Sequence, residues 1–278
     1  MAALVPALAK AQPGDGPITI GVHYPLTGPS SELGLGFQYG ARLALSEINA
    51  HDGVNGRELK LILVDDKSTP DGAITAVQRL TAGSTVALLW GGSSSSPTIA
   101  MLPRLKAGPT PYYAGFASGP RVLEPFGRYV FSGASAPVPA VVAGVAGFVA
   151  HKLQGTYAMW VGGSQFIGDP SGPMADWQAR FAKAYSGAPA GFPNQYSLRA
   201  YADAYVIAEA LRRCGKDVTS ENIVTQLDTI SNFVAGKDET FTDAAAVGLP
   251  RSFSPTQHQG TNILAPVVVR DGRFQAVP

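Results

Sequence analysis

The sequence predicts an α/β fold built on an open, doubly wound sheet. From Ile18 onward, short β-rich runs alternate with amphipathic stretches of helical period, which is the pattern of parallel βαβ units. Polar, glycine-containing loops follow three of the predicted strands, and such loops meet at the carboxyl edge of a parallel sheet. With 278 residues, 45% of them hydrophobic, the chain is long enough to bury one large core or two small ones.

The first half of the chain alternates strictly between predicted strands and helices. Each strand is short and rich in Val, Ile, Leu or Tyr, and each helix carries apolar residues at a period near 3.6. The strands are predicted at 18–24, 58–65, 86–90 and 111–115, and the helices at 33–50, 71–82 and 98–106.

The second half is less regular. A β-like stretch at 129–131 leads into the Pro, Ala and Gly-rich run SGASAPVPA, where we expect the chain to cross into a second lobe. The last two strands are predicted to form a hairpin around Asp271-Gly272. Helices are predicted at 138–153, 175–185, 199–213 and 221–227, and strands at 157–161, 263–270 and 274–277.

Charge and cysteine content exclude several classes of protein. The 21 basic and 20 acidic residues leave a net charge of +1 without long runs of either sign, so we expect no nucleic acid and no anionic membrane as partner. The single cysteine, Cys214, can form neither an internal disulfide nor a zinc cluster. No stretch approaches the roughly 20 apolar residues of a membrane-spanning helix, so we expect no direct membrane insertion.

Residues 1–16 are predicted to be a leader outside the fold. A short apolar run at 2–9 precedes Ala9-Lys10-Ala11, a small-x-small pattern typical of a signal-peptidase site. The run favours export, with the basic start of the signal missing. The alternative is an arbitrary alanine-rich leader.

The segment GGSSSSPT, at 91–98, is the strongest candidate for ligand contact. It lies between a buried-type strand and a helix, where serine hydroxyls and free backbone N–H groups form a neutral cradle for a carboxylate or other anionic group. One serine can be explained as the cap of the following helix. Four consecutive serines exceed what a cap requires.

Three catalytic or cofactor interpretations lack their parts. Asp65 and Asp66 imitate the acidic residue of a dinucleotide site, but the first glycine of GxGxxxG comes ten residues after Tyr24, so these aspartates are expected to be capping or surface groups. The four histidines are scattered without HExxH, so no metal is expected. The sequence contains no GxSxG nucleophile elbow, so a serine hydrolase lacks its motif. His258 could reach the serine loop only if the fold happened to bring the two together.

Aromatic residues in the second half are expected to serve mainly in the core. Their spacing on the predicted helices suits ordinary packing. They are Trp177, Tyr185, Tyr196, Tyr201 and Tyr205.

Several segments nevertheless resemble one known family, the branched-chain amino-acid-type periplasmic binding proteins. The matching words in the first half are ITIGVHYPLTGPSSELG, INAHDGVNGRELKLILVDDKSTPDG and GGSSSSPTIAMLP. YVFSGA, AYADAYVIAEAL and FSPTQHQG look like later parts of the same family. The resemblance spans nearly the whole chain from Ile18.

The resemblance implies a type I periplasmic-binding fold, in which two α/β lobes joined by three crossovers close around the ligand. At matching positions, Ser95 and Ser118 are expected to hold the ligand's carboxylate or equivalent polar head, with backbone help at Ser93 and Phe116. Leu33 matches a position that lines the side-chain pocket.

The chain departs from the family in the length of the second lobe. We expect lobe 1 at 17–133 plus 175–235 and a shortened lobe 2 at 134–174 plus 236–278, because little more than one strand and a loop lies between Leu153 and Ala175. Either the lobe is reduced or the written sequence omits a segment.

A second departure concerns the acid that receives an amino acid's ammonium group. It aligns near Ser164 or Gln165, neither of which is charged, although Asp169 could take the role if the alignment slips. A buried ammonium without a charged partner would be costly. A ligand without the α-ammonium, such as an amide, a urea-like molecule or an aliphatic or aromatic carboxylate, is therefore as well supported as a branched-chain or other amino acid.

The expected function is capture of a small polar ligand in the periplasm and its delivery to an ABC-transporter permease by a monomeric, non-enzymatic protein without a cofactor. Two alternatives stay open. One is a ligand-sensing regulatory module of the same fold. The other is a serine hydrolase that uses the serine loop.

Overall fold

The computed structural model describes residues 15–82, 86–134, 157–160, 172–235, 247–260, 265–270 and 273–276. Within these ranges it contains ten strands and six α-helices. The strands are β1 (Ile18–Tyr24), β2 (Leu59–Asp65), β3 (Leu88–Gly91), β4 (Tyr112–Ala114), β5 (Val130–Ser132), β6 (Tyr157–Trp160), β7 (Phe233–Ala235), β8 (Val247–Arg251), β9 (Ala265–Arg270) and β10 (Arg273–Ala276). The helices are α1 (Ser31–Ala50), α2 (Pro70–Thr81), α3 (Ser95–Ala107), α4 (Gly172–Ala184), α5 (Gln195–Arg213) and α6 (Ser220–Asp228).

A five-stranded parallel sheet in the order β2-β1-β3-β4-β5 forms the centre of the described molecule. The order reverses next to β1, as the alternating βαβ pattern predicts for a doubly wound sheet. Because successive side chains of a strand point to opposite faces, the strands supply two apolar layers. The α/β fold class is confirmed.

The two faces of this sheet are covered by different helices. Tyr24, Trp90 and Tyr113 belong to one buried cluster, together with residues of α1 and α5. Leu89 and Tyr112 belong to a second cluster, together with residues of α2 and α3. Strands β1, β3, β4 and β5 are therefore buried on both faces, which explains their near-continuous apolar sequences. The edge strand β2 is only partly covered, with Lys60 and Ile62 exposed.

Helices α1 and α5 lie against each other with almost no space at one crossing point. A Cβ built on Gly40 would lie 1.8 Å from the backbone oxygen of Ser197. Asn194 caps α5, accepting hydrogen bonds from the backbone N–H groups of Tyr196 and Ser197. Cys214 follows α5 and is buried, and burial raises the pKa of its thiol to about 12.

A second sheet has the order β10-β9-β6 and is antiparallel. The predicted closing hairpin is present, with Arg270 opposite Arg273. The helix predicted at 138–153 lies outside the described residues, as do residues 1–14 of the leader predicted at 1–16.

Residues 247–260, which we expected in lobe 2, pack against the five-stranded sheet. Val247 and Phe253 are buried in the cluster around α1 and α5. The backbone N–H of Gly260 donates to the carbonyl of Ser132 at 2.7 Å, beside β5. Met174, also assigned to lobe 2, is buried in the same cluster. These contacts place both segments beside the sheet that we expect in lobe 1, and the division into lobes stays a prediction.

Two further differences have a local cause. The short strands β7 and β8 were not predicted, because the first has only three residues and the second contains Gly248 and Pro250, which both disfavour strands. Helix α3 begins at Ser95 and not at 98, because Pro97 is tolerated in a first turn.

Candidate functional site

The loop after β3 begins with a glycine that the structure requires. Gly92 has a φ of +74°, in the region that disfavours L side chains. A Cβ at this position would lie 2.9 Å from the Tyr112 hydroxyl and 3.1 Å from the Ala114 Cα. The chain therefore turns tightly into the serine run.

The loops after β3 and β4 are held together by hydrogen bonds. The carbonyl of Gly92 accepts from the backbone N–H groups of Phe116, at 2.9 Å, and Ala117, at 2.6 Å. The Ser95 hydroxyl accepts from the backbone N–H of Gly119 at 3.0 Å. These bonds place the predicted residues of both loops together at the carboxyl edge of the sheet. We call this region, formed by the loops after β3 and β4, the mouth.

Four of the predicted site residues lie at this mouth. Ser93 is buried, and Ser95, Phe116 and Ser118 are half-buried. The Ser95 oxygen accepts a hydrogen bond from Gly119, and its own proton can still be donated to a ligand. Ser94 is the N-cap residue of α3 but makes no side-chain capping bond.

The start of α3 is electrostatically suited to an anion. The first turn contains no acidic residue, and both basic residues of the last turn lie at the far end of the helix. The N-terminal backbone N–H groups and the helix dipole therefore present a positive potential that side chains of the first turn do not neutralise.

Leu33 lies in the first turn of α1 and is half-buried. It follows the loop after β1, at the same edge of the sheet as the serine loop. Ser164, Gln165 and Asp169 lie outside the described residues. The structure therefore brings together the lobe 1 part of the predicted site.

Tyr196 packs against the core, as expected, and it also lies beside the predicted site residue Phe116. The two rings are 4.9 Å apart in an edge-to-face arrangement. Tyr196 is half-buried, and burial raises the pKa of its phenol. The Asn194 cap places Tyr196 in the first turn of α5. This cap is the sequence signal from which the position of Tyr196 could have been predicted. Trp177, Tyr201 and Tyr205 are buried, and Tyr185 is half-buried.

A buried charged cluster below the mouth was missed in the sequence. Arg199 of α5 donates from Nε to the carbonyl of Gly115 at 3.0 Å and from a terminal nitrogen to the carbonyl of Gly133. Asp203 lies 3.6 Å from Arg199 Nε and 3.7 Å from a terminal nitrogen of Arg251. We call these three residues the charged cluster.

Burial dominates the titration of the charged cluster. It raises the pKa of Asp203 to about 6, although Arg199, Arg251 and the Tyr113 hydroxyl act in the opposite direction. It also lowers the pKa of Arg199 to about 10, and Arg251 adds to this effect. Each shift reflects the cost of a charge in a low-dielectric interior.

The two aspartates after β2 stabilise loops. Asp65 Oδ1 accepts from the backbone N–H groups of Leu26, at 2.9 Å, and Lys67, at 2.8 Å. Asp66 is 1% exposed and lies 3.0 Å from His23 Nδ1, so of the two expected roles, capping or surface, the surface role does not apply to it. Both carboxylates are engaged within lobe 1.

The buried histidines already have partners on both ring nitrogens. His23 contacts Asp66 and Tyr112, whereas His258 contacts the Val130 carbonyl and Asp228. A serine nucleophile needs a histidine within hydrogen-bond reach. The ring nitrogens of His23 and His258 are thus directed away from that role. In the ranges given above, the structure shows no group of His, Cys, Asp and Glu residues with the geometry of a metal site.

A profile of the family described as "Periplasmic binding protein" matches residues 17–164 and 137–273. The chain belongs to the periplasmic binding protein family. The branched-chain amino-acid-type resemblance and the type I fold predicted from the sequence are thus confirmed. The loops that follow β3 and β4 in this periplasmic binding protein are the ones that the resemblance assigned to ligand contact.

Two curated relatives illustrate the similarity of this periplasmic binding protein in sequence. Leu/Ile/Val-binding protein BraC3 of Rhizobium johnstonii is 38% identical over 79 residues, which are 28% of this chain and 22% of that protein. Leu/Ile/Val-binding protein homolog 7 of Brucella melitensis is 33% identical over 106 residues, 38% of this chain and 26% of that protein. The chain thus spans about a quarter of the length of the curated relatives that it matches.

Solved structures show the similarity of this periplasmic binding protein in fold. A possible leucine/isoleucine/valine-binding protein from Rhodopirellula baltica has a TM-score of 0.72 at 15% identity, covering 97% of this chain and 98% of that one. The transporter substrate binding protein LivJ from Streptococcus pneumoniae, solved in complex with isoleucine, has a TM-score of 0.70 at 14% identity, covering 94% and 99%. In the described parts of the chain, no helix combines the length and hydrophobicity needed to cross a bilayer.

Proposed function

We propose that this protein binds a small organic carboxylate between its two lobes in the periplasm and delivers it to an ABC-transporter permease as a monomer, without catalysing a reaction. The observation that carries this proposal is the neutral donor set at the start of α3. There, Ser93, Ser95 and the backbone of the loop after β4 are held at one mouth. The family supports the transport role.

The charges favour a carboxylate over an uncharged amide. The positive end of α3 faces the mouth. A carboxylate gains from this potential as well as from the hydrogen bonds, whereas an amide or a urea-like molecule gains only the hydrogen bonds. Phe116 and Tyr196 provide an aromatic surface that can pack against the rest of the ligand.

The binding test compares two neighbouring serines. Ser95→Ala removes the hydroxyl that bonds Gly119, whereas Ser96→Ala changes an exposed serine of the same turn. Loss of a charge-assisted hydrogen bond predicts about tenfold weaker binding, or more, for Ser95→Ala and unchanged binding for Ser96→Ala. Isothermal titration with L-leucine, L-valine, benzoate and benzamide measures both variants and the wild type.

The outcomes separate the parts of the proposal. Binding of benzamide as tight as that of the carboxylates would refute the preference for an anion. Equal losses for Ser95→Ala and Ser96→Ala would refute the assigned role of Ser95. Native mass spectrometry of the freshly purified protein tests for a bound small molecule, and recovery in an osmotic-shock fraction tests export.

A further inference from the structure

His23 is a polar residue buried inside the central sheet. It is 1% exposed and lies in β1, between Val22 and Tyr24. Burying an imidazole in such a strand costs free energy unless both nitrogens are hydrogen-bonded. Nδ1 lies 3.0 Å from Asp66 Oδ2, and Nε2 lies 3.1 Å from the Tyr112 hydroxyl.

The Asp66 side leads to the loop after β1. Asp66 Oδ1 accepts from the backbone N–H of Ser68 at 3.0 Å. The Ser68 hydroxyl then donates to the carbonyl of Thr27 and accepts from the backbone N–H of Ser30, both at 3.0 Å. Ser68 has a φ of +62°, an uncommon conformation for a residue with a side chain, and the bond to Asp66 helps to hold it. This path ends in the segment just before Leu33.

The Tyr112 side leads to the serine loop. The Tyr112 hydroxyl lies near the Thr98 side chain, and Thr98 Oγ1 donates to the carbonyl of Ser94 at 2.7 Å. Thr98 is fully buried. The Tyr112 hydroxyl also lies below Gly92, where it would contact an added Cβ at 2.9 Å. This path ends in the loop that carries Ser93 and Ser95.

We propose that His23 is a positioning residue that holds the two ligand-facing loops of lobe 1 in one fixed arrangement, through Asp66 on one side and Tyr112 on the other. The Asp66 carboxylate pairs with Nδ1, and the Tyr112 hydroxyl, which can donate or accept, pairs with Nε2. The two loops belong to different βα units of the sheet. A hydrogen-bonded histidine between them fixes their geometry before a ligand arrives.

Four substitutions separate the two sides of His23. His23→Leu removes both contacts, and we expect it to loosen residues 25–31 and 91–98 together. His23→Asn keeps a donor at the position of Nδ1, so it should loosen 91–98 and leave 25–31 protected. Thr98→Val should loosen only 91–98, and Ser68→Ala only 25–31.

The readout is amide hydrogen exchange followed by mass spectrometry on the ligand-free protein. Exchange in each loosened segment should be at least tenfold faster than in the wild type, whereas residues 205–211 of α5 should exchange as before. Tyr205→Phe is the matched control, because it removes a buried hydroxyl that bonds Glu47 at 2.9 Å between α1 and α5. It should change neither loop. Should His23→Leu fail to fold, Tyr112→Phe replaces it and should loosen 91–98.

The proposal would be overturned if the His23 and Thr98 variants left both loops at wild-type exchange, or if exchange rose equally in α5, since that pattern indicates general destabilisation. The ligand role of His23 rests on the proposed function. Titration of His23→Asn with L-leucine should show about tenfold weaker binding. Loosened loops in a protein whose wild type binds none of the four probes would refute the proposed function and leave the positioning role intact.

Discussion

Arg199 links the ends of two neighbouring strands from below. Its guanidinium bonds the carbonyls of Gly115 and Gly133, which directly follow β4 and β5. Gly133 has no room for a side chain, because a Cβ there would lie 2.3 Å from the Tyr113 hydroxyl and 2.7 Å from Asp203 Oδ1. The charged cluster thus determines the backbone at the point where β5 leaves the sheet.

Replacement of Asp203 by asparagine tests the titration of the charged cluster. The folded-state pKa, about 6, lies above the ordinary value of 3.8, so between these values the folded protein holds a proton that the unfolded chain has released. The contribution of Asp203 to stability is therefore present below pH 4 and is lost as the pH rises through 6. Relative to Asp203→Asn, the wild type should lose about 2 kcal/mol between pH 4 and pH 7.

Urea unfolding at pH 4, 5.5 and 7 measures this difference. Asp176→Asn is the control, because the Asp176 carboxylate is 49% exposed and pairs with Arg180 on the surface of α4. A constant difference between the wild type and Asp203→Asn at all three pH values would contradict the raised pKa.

The sequence predicted some of the site residues and missed others for a physical reason. The serine loop was recognisable because a polar run between a buried strand and a helix has few structural explanations. Tyr196 and Arg199 were missed, because at helical spacing an aromatic residue or a single arginine looks the same whether it faces the core or a ligand. His23 was missed because its partners, Asp66 and Tyr112, are 43 and 89 residues away in the chain.

Helices α1 and α5 pack tightly against each other. Gly40 allows the backbone of α1 to touch that of α5 at Ser197. One turn away from Gly40, Asn194 and Tyr196 lie close to α1 at Gly36. A Cβ added to Gly36 would be 2.6 Å from the Asn194 side chain. The position of Tyr196 at the mouth therefore depends on this helix packing.

Gly40→Ala should destabilise the protein by about 3 kcal/mol. Alanine favours an isolated helix by about 1 kcal/mol, but here its methyl group would force the two helices apart. Gly187→Ala is the matched control, because no atom lies within 4 Å of a Cβ at Gly187. Guanidinium unfolding of the two variants gives both values. A loss below 1 kcal/mol for Gly40→Ala would show that the helices separate at little cost.

In the first half of the chain, the observed boundaries of helices and strands agree closely with those predicted from the sequence. The predicted helix at 71–82 and the observed α2, Pro70–Thr81, differ by one residue at each end, because Thr69 and Pro70 give a clear start. The hairpin of β7 and β8 gave no comparable signal. Strands β7 and β8 are held by pairing between residues that are far apart in the sequence, and not by local strand propensity.

At the scale of the whole molecule, the chain passes beside β5 more than once. It leaves the sheet after Ser132 and returns at Gln259, where the two residues form a parallel bridge. The Gln259 side chain donates to the carbonyl of Ala134. Under the proposed division into lobes, the chain crosses between them next to these residues, so we propose them as part of the hinge.

Ligand binding should therefore make the molecule more compact. Small-angle X-ray scattering with saturating L-leucine should show a smaller radius of gyration, approaching the value of about 19 Å expected for a compact chain of this length. The reason is that a ligand held by both lobes stabilises their closed arrangement. An unchanged radius at saturation, confirmed by titration calorimetry, would contradict closure.

Because its single cysteine is buried, the chain is suited to optical measurement of the proposed closure. Cys214 is 6% exposed, and its thiol stays protonated at neutral pH because burial raises its pKa to about 12. Thiol reagents attack the thiolate, so the native chain should be inert to maleimide dyes. A cysteine introduced at the exposed Ser96 would then take one fluorophore beside the mouth, and the protein could be developed as a reagentless fluorescent sensor without first removing a native thiol.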